Sequence, residues 1–267
     1  MPPTTRPQLV FVLALTGRSG TNHLLNLISH HPNIEAASKP FWEDFLLHEA
    51  HHLKAFADNA YDHWSDVAGD HALPTIKADL KAALGETLCR FLTRGVETPF
   101  VVAKTPSIQN IGMIDQFFPE EKLIVILRDG RDVMASGMRS FGWSLDESAG
   151  DWADAADQLL AFCEAVPRDR RLIVRFEDLV ADPARTLETV FRHIGVDPNA
   201  FNWNETVLRQ VIGSSSLRPQ SGDLDWKPID KTKDFDPIGR WQGWTEDEKR
   251  RFDSRAGRQL RALKTLT

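Results

Sequence analysis

Short apolar runs alternate with longer amphipathic stretches along the chain. Four of these runs are rich in Val, Ile and Leu and lack regular polar alternation, which is typical of strands buried on both faces of a sheet. Each run is followed by a stretch with helical periodicity. The predicted strands are residues 9–15 (LVFVLAL), 99–104 (PFVVAK), 122–128 (KLIVILR) and 171–176 (RLIVRF). The predicted helices are residues 21–30, 41–57, 76–93, 107–117, 129–140, 148–166, 183–194 and 245–263.

This alternation of strands and helices predicts an α/β fold with a central parallel sheet and right-handed crossovers. In such sheets, ligands bind beyond the carboxyl ends of the strands. We expect one domain over residues 1–267. Residues 213–244 contain many Pro, Ser, Asp and Lys residues and are too long for an idle connection, so we interpret them as a functional flap.

Composition narrows the classes of function. The 267 residues are 42% hydrophobic and 26% charged, with a formal net charge of -6, so we expect neither nucleic-acid binding nor attraction to an anionic membrane. Cys89 and Cys163 lie outside any metal-ligand spacing, which predicts neither a zinc site nor a disulfide framework. The first apolar run is too short to span a membrane and lacks a cleavage site, so we expect a cytoplasmic location.

Residues 15–22 (LTGRSGTN) directly follow the first predicted strand. A strand that turns through glycine into a helix directs backbone N–H groups and the positive end of the helix dipole at one point, which favours phosphate. Arg18 adds a full positive charge. A nucleotide kinase loop would carry Gly-Lys followed by Ser or Thr, whereas here Gly20 is followed by Thr21 and Asn22. The pattern therefore predicts a phosphate-binding loop that works without the lysine and magnesium.

A second phosphate signal lies in LRDGRDVMASG, residues 127–137. Arg128 ends a predicted strand, and Ser136 follows eight residues later, about two turns into the next helix. Both side chains can therefore reach one further phosphate. On its own, such a segment is more often a salt-bridged helix start, because Asp129 and Asp132 suit a first helical turn. Two separate phosphate motifs at one edge of a sheet make a ligand site the better interpretation.

These motifs together resemble the sulfotransferases that use 3′-phosphoadenosine 5′-phosphosulfate (PAPS). GRSGTN resembles their 5′-phosphosulfate loop, and the Arg128 and Ser136 pair resembles their 3′-phosphate site. AKTP, residues 103–106, resembles the strand end whose lysine lies near the transferring sulfuryl group. VRFEDLVADPARTLETVFRHIGV, residues 174–196, and DFDPIGRWQGWT, residues 234–245, resemble their segment after the last core strand and their cofactor-covering loop.

The resemblance implies a three-layer α-β-α, P-loop-like fold and transfer of SO₃ from PAPS to a hydroxyl or amine, which leaves adenosine 3′,5′-bisphosphate (PAP). The acceptor is expected to be a small molecule or a glycan. The reaction would be an in-line displacement that depends on positioning and charge stabilisation, with no metal. Arg18 and Lys104 would stabilise the charge that develops during transfer. The residues expected to bind the cofactor are Arg18, Ser19, Gly20, Thr21, Asn22, His23, Arg128, Ser136 and Arg240.

The sequence departs from the family at the general base. Pro106 occupies the place of the histidine that serves cytosolic members. Other branches take a glutamate from the segment after the first helix, and an ungapped comparison places Lys39 at that position. The nearby carboxylates are Glu43, Asp44 and, upstream, Glu35.

We expect Glu43 to be the base. Asp44 is the second candidate, because consecutive residues of the predicted helix 41–57 would point about 100° apart and only one would face the cofactor. Adjacent carboxylates at a helix start are also ordinary partners of the helix dipole. At the adenine, His23 stands at the family's aromatic position and Phe176 at that of its tyrosine.

Two other classes of function remain open. A P-loop kinase is disfavoured by the missing Lys-Ser/Thr pair, and magnesium-dependent activity with ATP would revive it. A non-catalytic nucleotide-binding module would bind PAP without turning over PAPS. The sequence does not identify the acceptor or the oligomeric state.

Overall fold

The computed structural model describes residues 6–37, 43–68, 73–166, 168–204, 208, 210–212, 229–230 and 236–266. It confirms the α/β fold with a parallel sheet. Five parallel strands form the central sheet in the order β2-β3-β1-β4-β5. They are β1 (Gln8–Ala14), β2 (Ile34–Ala36), β3 (Phe100–Thr105), β4 (Lys122–Leu127) and β5 (Arg171–Arg175). Two short strands, β6 (Gln210–Val211) and β7 (Ile229–Asp230), pair antiparallel in a separate sheet.

Helices cover both faces of the sheet. The described helices are α1 (Thr21–Ile28), α2 (Ala50–Ala68), α3 (Leu73–Leu92), α4 (Ile114–Phe117), α5 (Gly130–Phe141), α6 (Leu145–Ala165), α7 (Phe176–Ala181), α8 (Pro183–Ile194) and α9 (Glu246–Leu263). Alternate side chains of β1 enter two separate core clusters. Phe11 belongs to a cluster with residues of α3, α4, α6 and α9, and Val12 belongs to a cluster with residues of α1 and α8. This separation follows from the two-residue period of a strand and gives the three layers.

The register of the sheet places the sequence motifs along one edge. β1 is the central strand, with Val12 opposite Lys104 on β3 and Ala14 opposite Ile126 on β4. Because the strands are parallel, the loop after β1, the end of β3 and Arg128 after β4 all lie at their carboxyl ends.

The predicted helix 41–57 is wrong at both ends. Glu43 instead forms an isolated parallel bridge with Lys104, so it extends the sheet rather than a helix. Phe45 has a φ of 52°, a left-handed conformation that cannot continue into a helix, and α2 begins only at Ala50 and runs to Ala68. The angle of about 100° that a helix would set between Glu43 and Asp44 therefore does not apply.

Smaller differences have local causes. The predicted helix 107–117 is α-helical only in α4, because Asn110 adopts a left-handed φ of 63° and a 3₁₀ turn, Ile111–Met113, precedes α4. The prediction missed β2, which has three residues and pairs with β3, and it missed α7, which begins directly at the end of β5. None of the described helices combines the length and apolar character needed to cross a lipid bilayer.

Candidate functional site

The loop between β1 and α1 has the backbone of an anion site. Arg18 and Gly20 adopt left-handed φ angles of 68° and 99°, and the Ser19 hydroxyl donates to the carbonyl of Thr16 at 2.8 Å. Turns of this kind direct successive N–H groups toward one concavity, which binds anions. The N-cap residue of α1 is Gly20, which has no side chain to cap the helix. The predicted residues Arg18, Ser19, Gly20, Thr21, Asn22 and His23 thus form one continuous loop and helix start.

The predicted partner of this loop lies directly beside it. Arg128 follows β4, and the Asp129 carboxylate caps α5 by accepting from the Arg131 N–H at 2.9 Å. Helix α5 carries Ser136, which is 1% exposed, back to the loop, and Arg18 Nε donates to the Ser136 hydroxyl at 3.1 Å. Residues that are 118 positions apart therefore form one polar cluster.

Arg128 connects the two phosphate motifs. Its side chain is 8% exposed, and its Nη1 donates to the backbone carbonyl of Arg18 at 2.8 Å. Nη2 donates to the carbonyl of Pro237, while Nε has no hydrogen-bond partner within the described part of the chain. Burial lowers the pKa of Arg128 to about 10, against an opposing contribution from Asp132. An anion bound here would offset this desolvation, so the guanidinium is suited to a phosphate.

Residues 236–242 of the predicted flap fold over this cluster. The buried Asp132 carboxylate accepts from the N–H groups of Gly239 at 2.9 Å and Arg240 at 2.7 Å. The Arg131 guanidinium carbon lies 3.5 Å from the centroid of the Trp241 ring. Burial lowers the pKa of Arg240, and the positive charge of Arg139 acts in the same direction. The flap is thus anchored on the first turn of α5, and most of its other residues lie outside the described part of the chain.

A second polar cluster lies at the end of β3. Lys104 is 2% exposed, and its ammonium pairs with the Glu43 carboxylate, whose side chain is 33% exposed. Burial lowers the pKa of Lys104, while Glu43 opposes the shift. Asp44 accepts from the Thr105 hydroxyl at 3.3 Å, and burial raises the pKa of Asp44 to about 6. The structure therefore brings Lys104 together with both predicted carboxylates.

Glu35 and His23, two further candidates, lie on other elements. Glu35 is exposed on β2 opposite Val101, three residues before Lys104 along the parallel strands. Lys39 lies outside the described residues. His23 is 6% exposed and contacts the edge of the Phe176 ring, with centroids 6.4 Å apart.

Asp132 and Thr105 contribute to the site in ways that were not predicted. Asp132 resembled an ordinary residue of a first helical turn, yet both of its oxygens accept from the flap. The Thr105 hydroxyl accepts from the Phe45 N–H at 3.0 Å and donates to Asp44. No local pattern distinguishes either residue, because the partner of Asp132 at Gly239 lies 107 positions away and that of Thr105 at Phe45 lies 60 positions away.

A group of histidines follows Glu43 and Asp44. Glu49, His51 and His52 have potential ligand atoms that all lie within 4.8 Å of one another. Asn110 Nδ2 contacts both the His48 carbonyl, at 2.7 Å, and His51 Nδ1, at 3.2 Å. That geometry makes His51 Nδ1 an acceptor and leaves the ring proton on Nε2, which disfavours Nε2 as a metal ligand. We therefore interpret this group as hydrogen-bonded surface residues.

Solved structures share the fold of this chain. The sulfotransferase domain of the Synechococcus PCC 7002 olefin synthase has a TM-score of 0.55 at 18% identity, over 95% of this chain and 96% of that one. Mouse sulfotransferase SULT7A1, crystallised with PAP, has a TM-score of 0.56 at 14% identity, over 98% of this chain and 90% of that one. At these identities the likeness establishes the fold.

Curated relatives and a family model extend the comparison to the sequence. Protein-tyrosine sulfotransferase 2 of Gallus gallus is 22% identical over 183 residues, which are 63% of this chain and 46% of that protein. Protein-tyrosine sulfotransferase of Drosophila melanogaster is 20% identical over 243 residues, 85% of this chain and 45% of that protein. The chain spans about half the length of these curated relatives. The model of the Sulfotransferase family matches residues 8–200, most of the chain. The chain therefore belongs to the sulfotransferase family.

Proposed function

We propose that this protein transfers a sulfuryl group from PAPS to a hydroxyl or amine of a small-molecule or glycan acceptor. The observation that carries the proposal is the continuous cluster of Arg18, Ser136 and Arg128 at the carboxyl edge of the sheet, with Lys104 on the strand beside β1. It offers two adjacent sites for phosphate groups, as a nucleotide with both a 5′- and a 3′-phosphate requires. The mouse sulfotransferase of the same fold was crystallised with PAP, which supports the same cofactor here.

Each motif has a role in holding the cofactor. The loop N–H groups and Arg18 hold the 5′-phosphate, at the positive end of the α1 dipole. Arg128 and Ser136 bind the 3′-phosphate and so select PAPS over ATP. Arg240, whose backbone is held by Asp132, closes the flap over the same region.

The chemistry is an in-line displacement at sulfur. The acceptor oxygen forms a bond to sulfur while the bond from sulfur to the bridging oxygen of the phosphosulfate breaks, and the electron pair of that bond leaves with PAP. Arg18 and Lys104 stabilise the negative charge that grows on the bridging oxygen. Arg18, Arg128 and Lys104 together supply the positive charge, so we propose turnover without a metal.

Glu43 is the proposed general base that takes the acceptor's proton. Its carboxylate adjoins the Lys104 ammonium and is partly exposed, so it can meet an acceptor that approaches from solvent. Asp44 is the second candidate, because a pKa of about 6 is well matched to proton transfer near neutral pH. Its oxygens already accept from Thr105 and from the Leu46 N–H, at 2.9 Å, which makes it the less available of the two.

Exposed aromatic side chains adjoin both clusters. Phe45, 41% exposed, follows Asp44, and Phe141, 50% exposed, lies against Arg18 with its ring centroid 5.4 Å from the guanidinium carbon. Such surfaces favour an acceptor with an apolar part next to its nucleophile. We also propose a cytoplasmic location, which the two free cysteines, Cys89 and Cys163, support.

The proposal is tested first by ligand-induced stabilisation. PAP should raise the unfolding free energy by about 2.7 kcal/mol at one hundred times its Kd, and ADP at equal concentration should raise it less. PAPS should be consumed with an acceptor extract in the presence of EDTA, and mass spectrometry should detect a product heavier by one SO₃ group. Equal stabilisation by ADP and PAP would overturn the 3′-phosphate site. Magnesium-dependent phosphoryl transfer from ATP would establish the kinase instead, and PAP binding without PAPS turnover would indicate a binding module.

A further inference from the structure

Phe176, the first residue of α7, touches both phosphate motifs. The ring is 6% exposed, and the Arg128 guanidinium carbon lies over it at 4.5 Å from its centroid. A Cβ placed on Gly20 would come within 2.4 Å of Cδ2 of Phe176, so the ring also lies directly against the 5′ loop. Phe176 therefore lies between the loop and Arg128.

Hydrogen bonds and a ring contact both restrain the guanidinium of Arg128. Two hydrogen bonds, to the carbonyls of Arg18 and Pro237, restrain Nη1 and Nη2. A guanidinium is planar and carries more N–H donors than these bonds use, so its value as a phosphate fork depends on how the plane is turned. The Phe176 ring supports this orientation in addition to the hydrogen bonds, because a cation is attracted to the face of an aromatic ring.

The same contact limits what else Phe176 can do. The face that covers Arg128 is unavailable for stacking on a nucleotide base. The side chain has no hydroxyl with which to donate a hydrogen bond to one. An adenine contact, the role implied by resemblance for this position, is therefore poorly served by the geometry.

We infer that Phe176 is a positioning residue for the 3′-phosphate, which turns the Arg128 guanidinium toward it and so sets the preference for nucleotides with a 3′-phosphate. The inference rests on the proposed function, since it assigns a specificity device to the same site. The close approach at Gly20 has a related consequence. Any side chain at position 20 would displace the ring, and with it the support of Arg128.

The test compares two ligands that differ only in the 3′-phosphate, PAP and adenosine 5′-monophosphate (AMP), by calorimetric titration of the full chain. Phe176→Leu should weaken PAP binding by about 2- to 30-fold, the range spanned by a cation–π contact. AMP binding should stay near the wild-type value. Phe176→Tyr keeps the ring face and should keep the ratio of the two affinities.

Two controls separate positioning from loss of packing. Phe201 is 3% exposed in the same core cluster and packs on Phe191, with ring centroids 5.0 Å apart, away from Arg128. Phe201→Leu should lower thermal stability without changing the ratio of affinities. In an Arg128→Ala background, Phe176→Leu should have no further effect on that ratio, because the group that it positions is gone.

The outcomes distinguish this inference from the proposed function. A wild-type protein without preference for PAP over AMP would refute the 3′-phosphate site itself. If the wild type prefers PAP, an equal loss of affinity for PAP and for AMP in Phe176→Leu would make Phe176 a base contact and overturn the inference. A wild-type ratio of PAP affinity to AMP affinity in Phe176→Leu would also overturn it. So would a clear fall of this ratio in Phe176→Tyr, and that variant can be measured even if the leucine variant fails to fold.

Discussion

The two parts of the candidate site are held in place by different kinds of structure. The proposed cofactor part, made of Arg18, Arg128 and Ser136, rests on the ends of central strands, on the start of α1 and on the second turn of α5. The proposed acceptor part, made of Glu43, Asp44, Lys104 and Thr105, depends on contacts between β3 and the irregular segment before α2, which are the bridge of Glu43 with Lys104 and the hydrogen bonds of Thr105. In the first part, Arg128 directly follows β4 and Ser136 lies within α5, so regular elements that form their own backbone hydrogen bonds place both residues.

The two parts differ in whether the sheet topology or a long-range contact places their residues. Parallel strands necessarily bring their carboxyl ends to one edge, so the cofactor part follows from the sheet. The pairing of Glu43 with Lys104 joins residues that are 61 positions apart, and Phe45 needs a left-handed backbone to allow it. We therefore expect substitutions in the acceptor part to affect turnover, and those in the cofactor part to affect affinity.

Glu43→Gln should give the largest effect, since it removes the proposed base while keeping its size. We expect kcat to fall by about 10² to 10⁴ with PAP affinity nearly unchanged, measured by steady-state kinetics and titration. Glu35→Gln, an exposed carboxylate on the edge strand β2, is the matched control and should turn over normally. Normal turnover in Glu43→Gln together with a loss in Asp44→Asn would transfer the role to Asp44.

Lys104→Met should give the second largest effect, because it removes the cation while filling most of the same buried volume. A loss of about 10² to 10³ in kcat is expected, with a much smaller change in PAP affinity, since the charge that Lys104 is proposed to stabilise develops during transfer. Lys122→Met, at the start of β4 and the opposite end of the sheet, is the control. A fall in PAP affinity as large as the fall in kcat would make Lys104 a binding residue and erase the contrast between the two parts.

Arg128→Lys tests the cofactor part. Lysine keeps the charge but not the planar fork, and hydrogen bonds to charged groups contribute about 1.5–3 kcal/mol, so PAP affinity should fall about 10- to 150-fold. AMP affinity should change little. Arg171→Lys, at the start of β5, should leave both unchanged. An equal loss of AMP affinity would show that Arg128 supports the whole loop rather than the 3′-phosphate.

Asp44 should give the smallest effect, on stability rather than on activity. Its pKa of about 6 in the folded state lies above the ordinary value of 3.8, so the folded protein favours the protonated form. The stabilisation is present below about pH 4 and is lost as the pH rises through 6. Asp44→Asn should therefore match the wild type near pH 4 and exceed its stability by about 1 to 2 kcal/mol at pH 7, allowing for the water that reaches a half-buried side chain.

Thermal unfolding of both proteins between pH 4 and 7.5 measures this difference. A gap that stays constant with pH would mean that Asp44 is not the titrating group. A gap of the opposite sign at pH 7 would mean that its bonds with Thr105 and Leu46 stabilise the charged form more than burial disfavours it.

Much of this protein follows from its sequence alone. Four of the five central strands were predicted from local patterns, as was the turn after β1 that we propose binds phosphate. Continuous apolar runs require burial on both faces, and glycines between a strand and a helix are typical of a phosphate cradle. These features depend on residues close together in the chain, so their physical causes are visible there.

Tertiary structure alone decided the contacts between distant segments. The sequence supplied Glu43 and Asp44 as candidates, but it favoured a helix where the chain instead bridges β3. The anchoring of the flap on Asp132 and the stacking of Phe176 on Arg128 likewise have no signature in the neighbouring residues. A hydrogen bond or a stacked ring depends on distance and orientation in space, and only packing of the helices on the sheet sets these for residues that lie far apart in the chain.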